Sequence, residues 1–297
     1  MELHRAPVAG GDIAYVDEGD GPAVLLLHGF PTSSHLWRDL IPILAPRFRV
    51  IAPDLVGYGA SAKPADVGAL TVTAQARHAR ELLASLRITE YAVVGHDLGG
   101  GVAQLLSLDD PVVALVLVDS IAFDAWPIEA VRMLREADPH SADAELVSNV
   151  VGVALDAGMA DPGRLSDEDR AAYLRPWTES PPALLRAARG IDGEGLTGIE
   201  DRLAALDVRA LLIWGEEDPF LPPELAERLS DLLPGSTVAL LPGCGHFVTE
   251  DAPEAVLPLI SEYLRVHYLR EDHHHQAPTP VELGISFDRP PPAEPEI

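Results

Sequence analysis

The stretch VVGHDLGGG, residues 93–101, sets Asp97 between Gly95 and Gly99. This is the G-x-S-x-G pattern of a nucleophile on a sharp strand-to-helix turn, with a carboxylate where the serine would stand. The two glycines leave room where a β-carbon would clash with the crowded turn. A serine must lose a proton before it attacks, whereas an aspartate with a reference pKa of about 3.9 is already an anion at neutral pH. It can attack an sp3 carbon directly and form an alkyl ester of its own side chain. Water must then attack the carbonyl of that ester, and a histidine acting as general base would activate it. GCGHF supplies His246 just beyond one apolar run, and WGEEDPFLP supplies Asp218 just beyond the preceding one. The chain order is nucleophile, acid, histidine. Upstream, HGFP (28–31) offers the Phe30 amide, which together with the Leu98 amide would hold the oxyanion formed on Asp97 in the second step.

The elements that must position these residues show in the hydropathy pattern. AVLLLHG (23–29), FRVIAPDL (48–55), YAVVGHD (91–97) and VVALVLVDS (112–120) read as buried strands, and SSHLWRDLIPILA (33–45), TVTAQARHARELLASL (71–86) and LGGGVAQLLSL (98–108) as helices. This alternation predicts an α/β fold with a mostly parallel sheet covered by helices on both faces. Between 121 and 206 the sequence is helical and proline-interrupted without a strand pattern, which predicts a helical cap inserted into the sheet domain. The alternation resumes with ALLIWGEED (210–218), PPELAERLSDLL (222–233), STVALLPGCGH (236–246) and a last helix around 252–268. The expected organisation is a core of residues 1–120 and 207–268, a cap of 121–206, and a disordered proline-rich tail over 269–297.

Composition narrows the partners. A formal charge of -26 on 297 residues argues against nucleic acid or anionic lipid, which such a surface repels. No apolar stretch reaches the roughly 18 residues of a membrane span, and the N-terminal segment lacks a leader pattern. The single cysteine, Cys244, excludes an intrachain disulfide and a cysteine-rich metal site, and fits a cytoplasmic location. His273, His274 and His275 have no separated companion ligand, and a GGG run behind a carboxylate would repel phosphate. Neither metal nor cofactor is expected. The partners are a small apolar substrate and water, with the oligomeric state left open.

The segments HGFPTSSHLWR, APDLVGYGAS, VVGHDLGG, WGEEDPFLP and GCGHF occur together and in this order. Through them residues from about 10 to 268 resemble the α/β-hydrolase fold family, in particular its branch with an aspartate nucleophile, which includes epoxide hydrolases and haloalkane dehalogenases. The resemblance implies that Asp97 is the nucleophile, His246 the base, Asp218 its orienting acid, and that the cap covers the active site. Some dehalogenases take their acid from the strand end where LVLVDS places Asp119. The loop of Asp218 matches the commoner pattern. His96 is expected to pack beneath the turn, Asp54 to shape the turn before GYGAS, and Cys244 to fill space.

The leaving group separates the two activities that the resemblance implies. Haloalkane dehalogenases usually bind the halide with a tryptophan after the nucleophile and with an asparagine after the HG pair or a cap tryptophan. Here the two core positions are Leu98 and Phe30, whose side chains donate no hydrogen bond, leaving the cap residues Trp126 and Trp177. LGGG also lacks the arginine that fluoroacetate dehalogenases carry around the nucleophile. Epoxide hydrolases typically protonate the opening epoxide with two cap tyrosines. Tyr173 is the only tyrosine between 121 and 206, so His140 or Trp177 would have to be the second donor. HGFP with GHDxGG fits an epoxide hydrolase giving a diol better than a C–halogen hydrolase. A noncatalytic member keeping the pocket for small-molecule binding is the third reading, and it would have no need of nucleophile, acid and base together.

Overall fold

The computed structural model describes residues 2–191, 193 and 195–269. Its centre is an eight-stranded sheet in the order β1-β2-β4-β3-β5-β6-β7-β8. The strands are β1 (His4–Val8), β2 (Gly11–Glu18), β3 (Ala23–Leu27), β4 (Arg49–Pro53), β5 (Tyr91–His96), β6 (Val112–Val118), β7 (Arg209–Gly215) and β8 (Thr237–Leu241). All pairings from β4 to β8 are parallel, and the β1–β2 and β2–β4 pairings are antiparallel. The runs Val24–Leu27, Val93–Val94, Leu115–Val118 and Leu211–Trp214 are buried on both faces. That is why they lack polar alternation, since helices cover both sides of a parallel sheet.

The helices are α1 (Ile41–Leu44), α2 (Val72–Ser85), α3 (Leu98–Asp109), α4 (Glu129–Glu136), α5 (Ala144–Gly158), α6 (Asp167–Thr178), α7 (Pro181–Gly190), α8 (Glu200–Ala204), α9 (Glu224–Leu232), α10 (Val248–Asp251) and α11 (Pro253–His267). Between β6 and β7 the described residues form no strand, and α4 to α8 pack on one another and on the core. α5 lies on α6, α4 on α7, and α6 touches the turn Ser34–Trp37.

Two local expectations change, and a hairpin that the apolar pattern does not show joins the sheet. The helix read over 33–45 is a 3-10 turn at Ser34–Trp37 followed by the short α1. Pro42 lies in the first turn of α1, where its missing N–H is tolerated, and a helix running through that position would lose a hydrogen bond. The strand read over 236–246 stops at Leu241, because Pro242 and the left-handed Gly243 (φ 69°) end it. The hairpin β1–β2 lacked a continuous apolar run. Pro7 interrupts β1, whose only buried residue is Ala6. Residues 270–297, which hold almost all of the expected tail and the His273–His275 run, lie outside the described residues. No helix among the described residues is long and apolar enough to cross a membrane.

The sheet order also locates a crevice. β3 leads to β4 on one side while β5 lies on its other side, so the loops leaving β3 and β5 diverge at the carboxyl edge, where open α/β sheets bind ligands. HGFP leaves β3 and Asp97 leaves β5 at this point.

Candidate active site

Asp97 connects β5 to α3 with φ 49° and ψ -116°. A residue with a β-carbon in this region costs on the order of 1–3 kcal/mol and persists only when its surroundings impose it. Here the Asp97 carbonyl accepts the N–H groups of Gly100 (3.0 Å) and Ile121 (3.2 Å), while its own N–H donates to the Val118 carbonyl (3.2 Å). A β-carbon at Gly95 would strike the Gly99 carbonyl, and one at Gly99 would strike the Leu27 carbonyl. The bracketing glycines are therefore required by close approach of backbone.

The Asp97 carboxylate is completely buried and its two oxygens differ. Oδ2 accepts the Phe30 N–H at 2.8 Å, whereas Oδ1 has no partner among the described residues. A β-carbon at Gly29 would collide with this carboxylate, which explains the glycine of HGFP. Burial raises the Asp97 pKa, while the charge of His246 and the N–H groups of Phe30 and Leu98 oppose the shift, and the balance lies at about 6. The group is an anion above that pH.

His28 fixes the loop that carries Phe30. Its Nε2 accepts the Leu55 N–H (2.9 Å), so Nδ1 carries the proton and donates to the Gly29 carbonyl (2.9 Å). Asp54 accepts the N–H groups of Ser34 (2.8 Å) and Ala60 (2.7 Å), the turn-forming work its position suggested.

On the other side of the crevice, His246 Nδ1 donates to Asp218 Oδ2 at 2.9 Å, and Asp218 Oδ1 accepts the N–H groups of Phe220 (2.8 Å) and Leu221 (3.0 Å). Burial alone would depress the imidazole. The charge and hydrogen bond of Asp218, with the charge of Asp97, outweigh it, so the His246 pKa is raised. Asp119 is also fully buried at the end of β6, at φ 41°. Its Oδ1 accepts the Gly215 N–H (2.8 Å), and its Oδ2 has no partner among the described residues. Burial, then the charge of Asp218, push its pKa well up. The carboxylate in contact with the imidazole is that of Asp218.

His96 donates from Nε2 to the His246 carbonyl (3.0 Å), and burial holds its pKa well below the usual histidine range. It is a neutral ring packed under the histidine loop. Cys244 is buried, with its thiol pushed up to about 12 chiefly by desolvation. The helical insertion also touches this loop directly. The Gly158 carbonyl at the end of α5 accepts the His246 N–H (2.6 Å), and Asp251 accepts N–H groups from Gly245 (2.8 Å), Ala160 (3.0 Å) and Asp161 (3.2 Å).

The insertion side chains expected over Asp97 fare differently. Tyr173 is buried, but its hydroxyl donates to Glu250 Oε1 and takes a long contact from Arg38 (3.4 Å), so the expectation that it reaches over the nucleophile is corrected. Arg38 grips Glu250 with two hydrogen bonds of 2.7 Å and pairs with Asp169 (2.9 Å), which also meets His35 (2.8 Å). A phenol buried among these charges hydrogen-bonds the carboxylate at hand. Trp177 donates its indole N–H to the Pro31 carbonyl (2.7 Å) and is not free for a halide. His140 is exposed, which removes it as a second donor. Trp126 is buried and its indole N–H has no partner among the described residues.

Glu250, Asp251 and Arg38 escaped the sequence reading, although an acidic pair four and five residues beyond His246 was a visible signal. Tyr58 of GYGAS escaped it too. It is fully buried, packs edge-on against the rings of Phe30, His28 and Trp177, and its hydroxyl has no partner among the described residues.

A profile of the alpha/beta hydrolase fold matches residues 22–253, and the chain belongs to that family. It is 32% identical over 278 residues to a soluble epoxide hydrolase of Corynebacterium sp. (strain C12), covering 86% of this chain and 94% of the relative. It is 30% identical over 279 residues to haloalkane dehalogenase 2 of Mycobacterium tuberculosis (strain ATCC 25618 / H37Rv), covering 85% and 91%. Among solved structures, an alpha/beta hydrolase fold protein from Burkholderia ambifaria matches with a TM-score of 0.80 at 30% identity, over 86% of this chain and 96% of the other. The protein is thus an enzyme of the hydrolase class built on this fold.

Proposed function

We propose that this enzyme hydrolyses small apolar epoxides to diols through a covalent ester on Asp97. The observation that carries the reading is the divided Asp97 carboxylate, with Oδ2 bound to the Phe30 N–H and Oδ1 buried without a partner. A pKa of about 6 leaves the group anionic at neutral pH yet poorly solvated, as a carboxylate nucleophile should be. Oδ1 attacks the less hindered epoxide carbon, and the ring oxygen departs. His246, oriented and stabilised by Asp218, then takes a proton from water, which attacks the Asp97 carbonyl carbon. The oxyanion of that step develops on the oxygen facing the Phe30 and Leu98 amides. Residues 121–206 act as the cap that excludes bulk water, above a core of 1–120 and 207–268.

The epoxide reading is favoured over C–halogen hydrolysis because Leu98 and Phe30 offer no side-chain donor and the Trp177 N–H is taken by Pro31. The unpartnered N–H of Trp126 is the one observation on the side of a halide. A decisive experiment uses His246→Gln, which should form the ester and fail to hydrolyse it. Exposure to epoxides and to haloalkanes, followed by intact-protein mass spectrometry and peptide mapping, should show an epoxide-derived adduct on Asp97. Adducts formed only from haloalkanes would transfer the enzyme to the halide reading, and a label elsewhere than Asp97 would remove the mechanism.

A further inference from the structure

Ring opening needs a proton for the oxygen that leaves carbon, and Tyr173, the phenol of the insertion, already donates to Glu250. Tyr58 is the contrasting phenol. It stands in the loop after β4, on the carboxyl edge of the sheet, and is 0% exposed with a hydroxyl that no described residue satisfies. Its ring centroid lies 6.4 Å from that of Phe30, 5.5 Å from that of Trp177 and 5.4 Å from that of His28. Phe30 is the residue whose amide holds Asp97, and His28 fixes the loop that presents it. Tyr58 is thus built into the wall that grips the nucleophile. Tyr263, the other buried phenol without a hydroxyl partner among the described residues, packs on His267 of α11 instead.

Burying an O–H without a partner costs about 1–3 kcal/mol, which a phenylalanine of the same shape would avoid. Asp97 Oδ1 is the matching case of a buried acceptor without a donor. An epoxide oxygen beside the phenol accepts its O–H and relieves the first, whereas Oδ1 is relieved only when it bonds to the epoxide carbon. Burial and then the Asp97 charge push the Tyr58 pKa well above its ordinary value, so the two side chains sense one another.

We propose that Tyr58 is a catalytic residue whose hydroxyl gives its proton to the epoxide oxygen while Asp97 Oδ1 attacks the carbon. The assignment rests on the epoxide reading. An electron pair of Oδ1 forms the new C–O bond and the epoxide C–O bond breaks, with its electron pair remaining on the departing oxygen. That oxygen takes the Tyr58 proton and leaves a phenolate. In the second step water adds to the ester carbonyl carbon with its proton passing to His246, which returns it to the departing diol oxygen. Asp97 emerges as a carboxylic acid, and the proton it then loses restores the phenol, so the sum is epoxide plus water to diol.

The test measures single-turnover formation of the Asp97 adduct from styrene oxide in the His246→Gln protein. Adding Tyr58→Phe should slow adduct formation by about 100-fold to 1000-fold, the effect of removing a donor to developing oxyanion charge. Thermal unfolding should be unchanged or shifted upward, since the ring stays and the unsatisfied hydroxyl goes. Installing 3-fluorotyrosine at position 58 keeps the shape, makes the phenol more acidic, and should speed ring opening relative to tyrosine. An equal adduct rate with Tyr58→Phe would overturn the proposal, as would indifference to fluorination if the phenylalanine variant fails to fold. No epoxide adduct even with Tyr58 intact would instead overturn the epoxide reading on which the proposal stands.

Discussion

The loops at the carboxyl edge of the sheet and the helical insertion above them satisfy their polar groups in different ways. In the loops, buried carboxylates take backbone N–H groups: Asp97 from Phe30, Asp54 from Ser34 and Ala60, Asp119 from Gly215, Asp218 from Phe220 and Leu221. The insertion meets the core through backbone at the histidine loop, where Gly158 accepts the His246 N–H and Asp251 accepts those of Ala160 and Asp161. Elsewhere it meets the core through side chains, in the cluster of Tyr173 and Asp169 with His35, Arg38 and Glu250. A carboxylate held by backbone cannot move without unfolding a turn. A side-chain cluster can separate as a unit when a helix shifts. The difference teaches that the groups proposed for chemistry sit on backbone-held loops, while the cluster around Glu250 holds the insertion by side chains that can separate.

The sharpest way to break this division is Asp97→Ala. It should abolish turnover of any epoxide substrate, measured by diol formation, while circular dichroism and thermal unfolding remain native-like. Residual wild-type turnover would show that the rigid carboxylate is not the reactant.

The next effect separates two carboxyls of the same region. Asp218→Asn should slow hydrolysis of the Asp97 ester by roughly 10,000-fold, the scale seen when a histidine-orienting acid is neutralised. Asp119→Asn should change the same step by only a few fold, because its carboxyl takes the Gly215 N–H while the imidazole is held by Asp218. Pre-steady-state decay of the adduct measures both, and the reverse ranking would make Asp119 the acid.

On the insertion side the expected losses are in stability. Arg38→Met leaves Glu250, whose side chain is 4% exposed, as an unpaired buried charge, and should cost about 3–5 kcal/mol in denaturant unfolding. Tyr173→Phe keeps the Arg38–Glu250 pair and should cost about 1–3 kcal/mol. Neither change should alter the rate of ester formation on Asp97 as much as Tyr58→Phe does.

The last effect, read as a pH dependence, concerns the proton on Asp97. Its folded pKa of about 6 stands above the ordinary 3.8, so the native state binds more protons than the unfolded chain between these values. Stability from this group is full below the lower value and is lost as pH rises through the higher one. The penalty above pH 6 is about 3 kcal/mol at most. Asp97→Asn should therefore be more stable than wild type at pH 7–8, with the difference vanishing towards pH 4. Over the same range, ester formation by wild type should fall about tenfold per pH unit below 6. A pH-independent stability difference would contradict the raised pKa.

Local pattern determined a good deal by itself. Apolar runs long enough for a buried strand alternated with helical spacing, and covered parallel strands can hardly avoid showing that period. The Asp97 turn was legible because only glycine fits where Gly95 and Gly99 approach backbone carbonyls, and His246 and Asp218 were legible from their positions just past apolar strands. Tertiary structure decided what depends on neighbours distant in sequence. Asp119 and Asp218 both follow strands of the same sheet edge, and only the course of the loop after β7 brings Asp218 to the imidazole. Tyr173 was drawn to Glu250, 77 residues away, and Trp177 to Pro31, 146 residues away. A hydroxyl or indole N–H takes whichever acceptor folding sets beside it, and its own sequence context does not encode that acceptor. The unmet hydroxyl of Tyr58 is the same rule in reverse, since an empty hydrogen-bonding position is a property of everything packed around it.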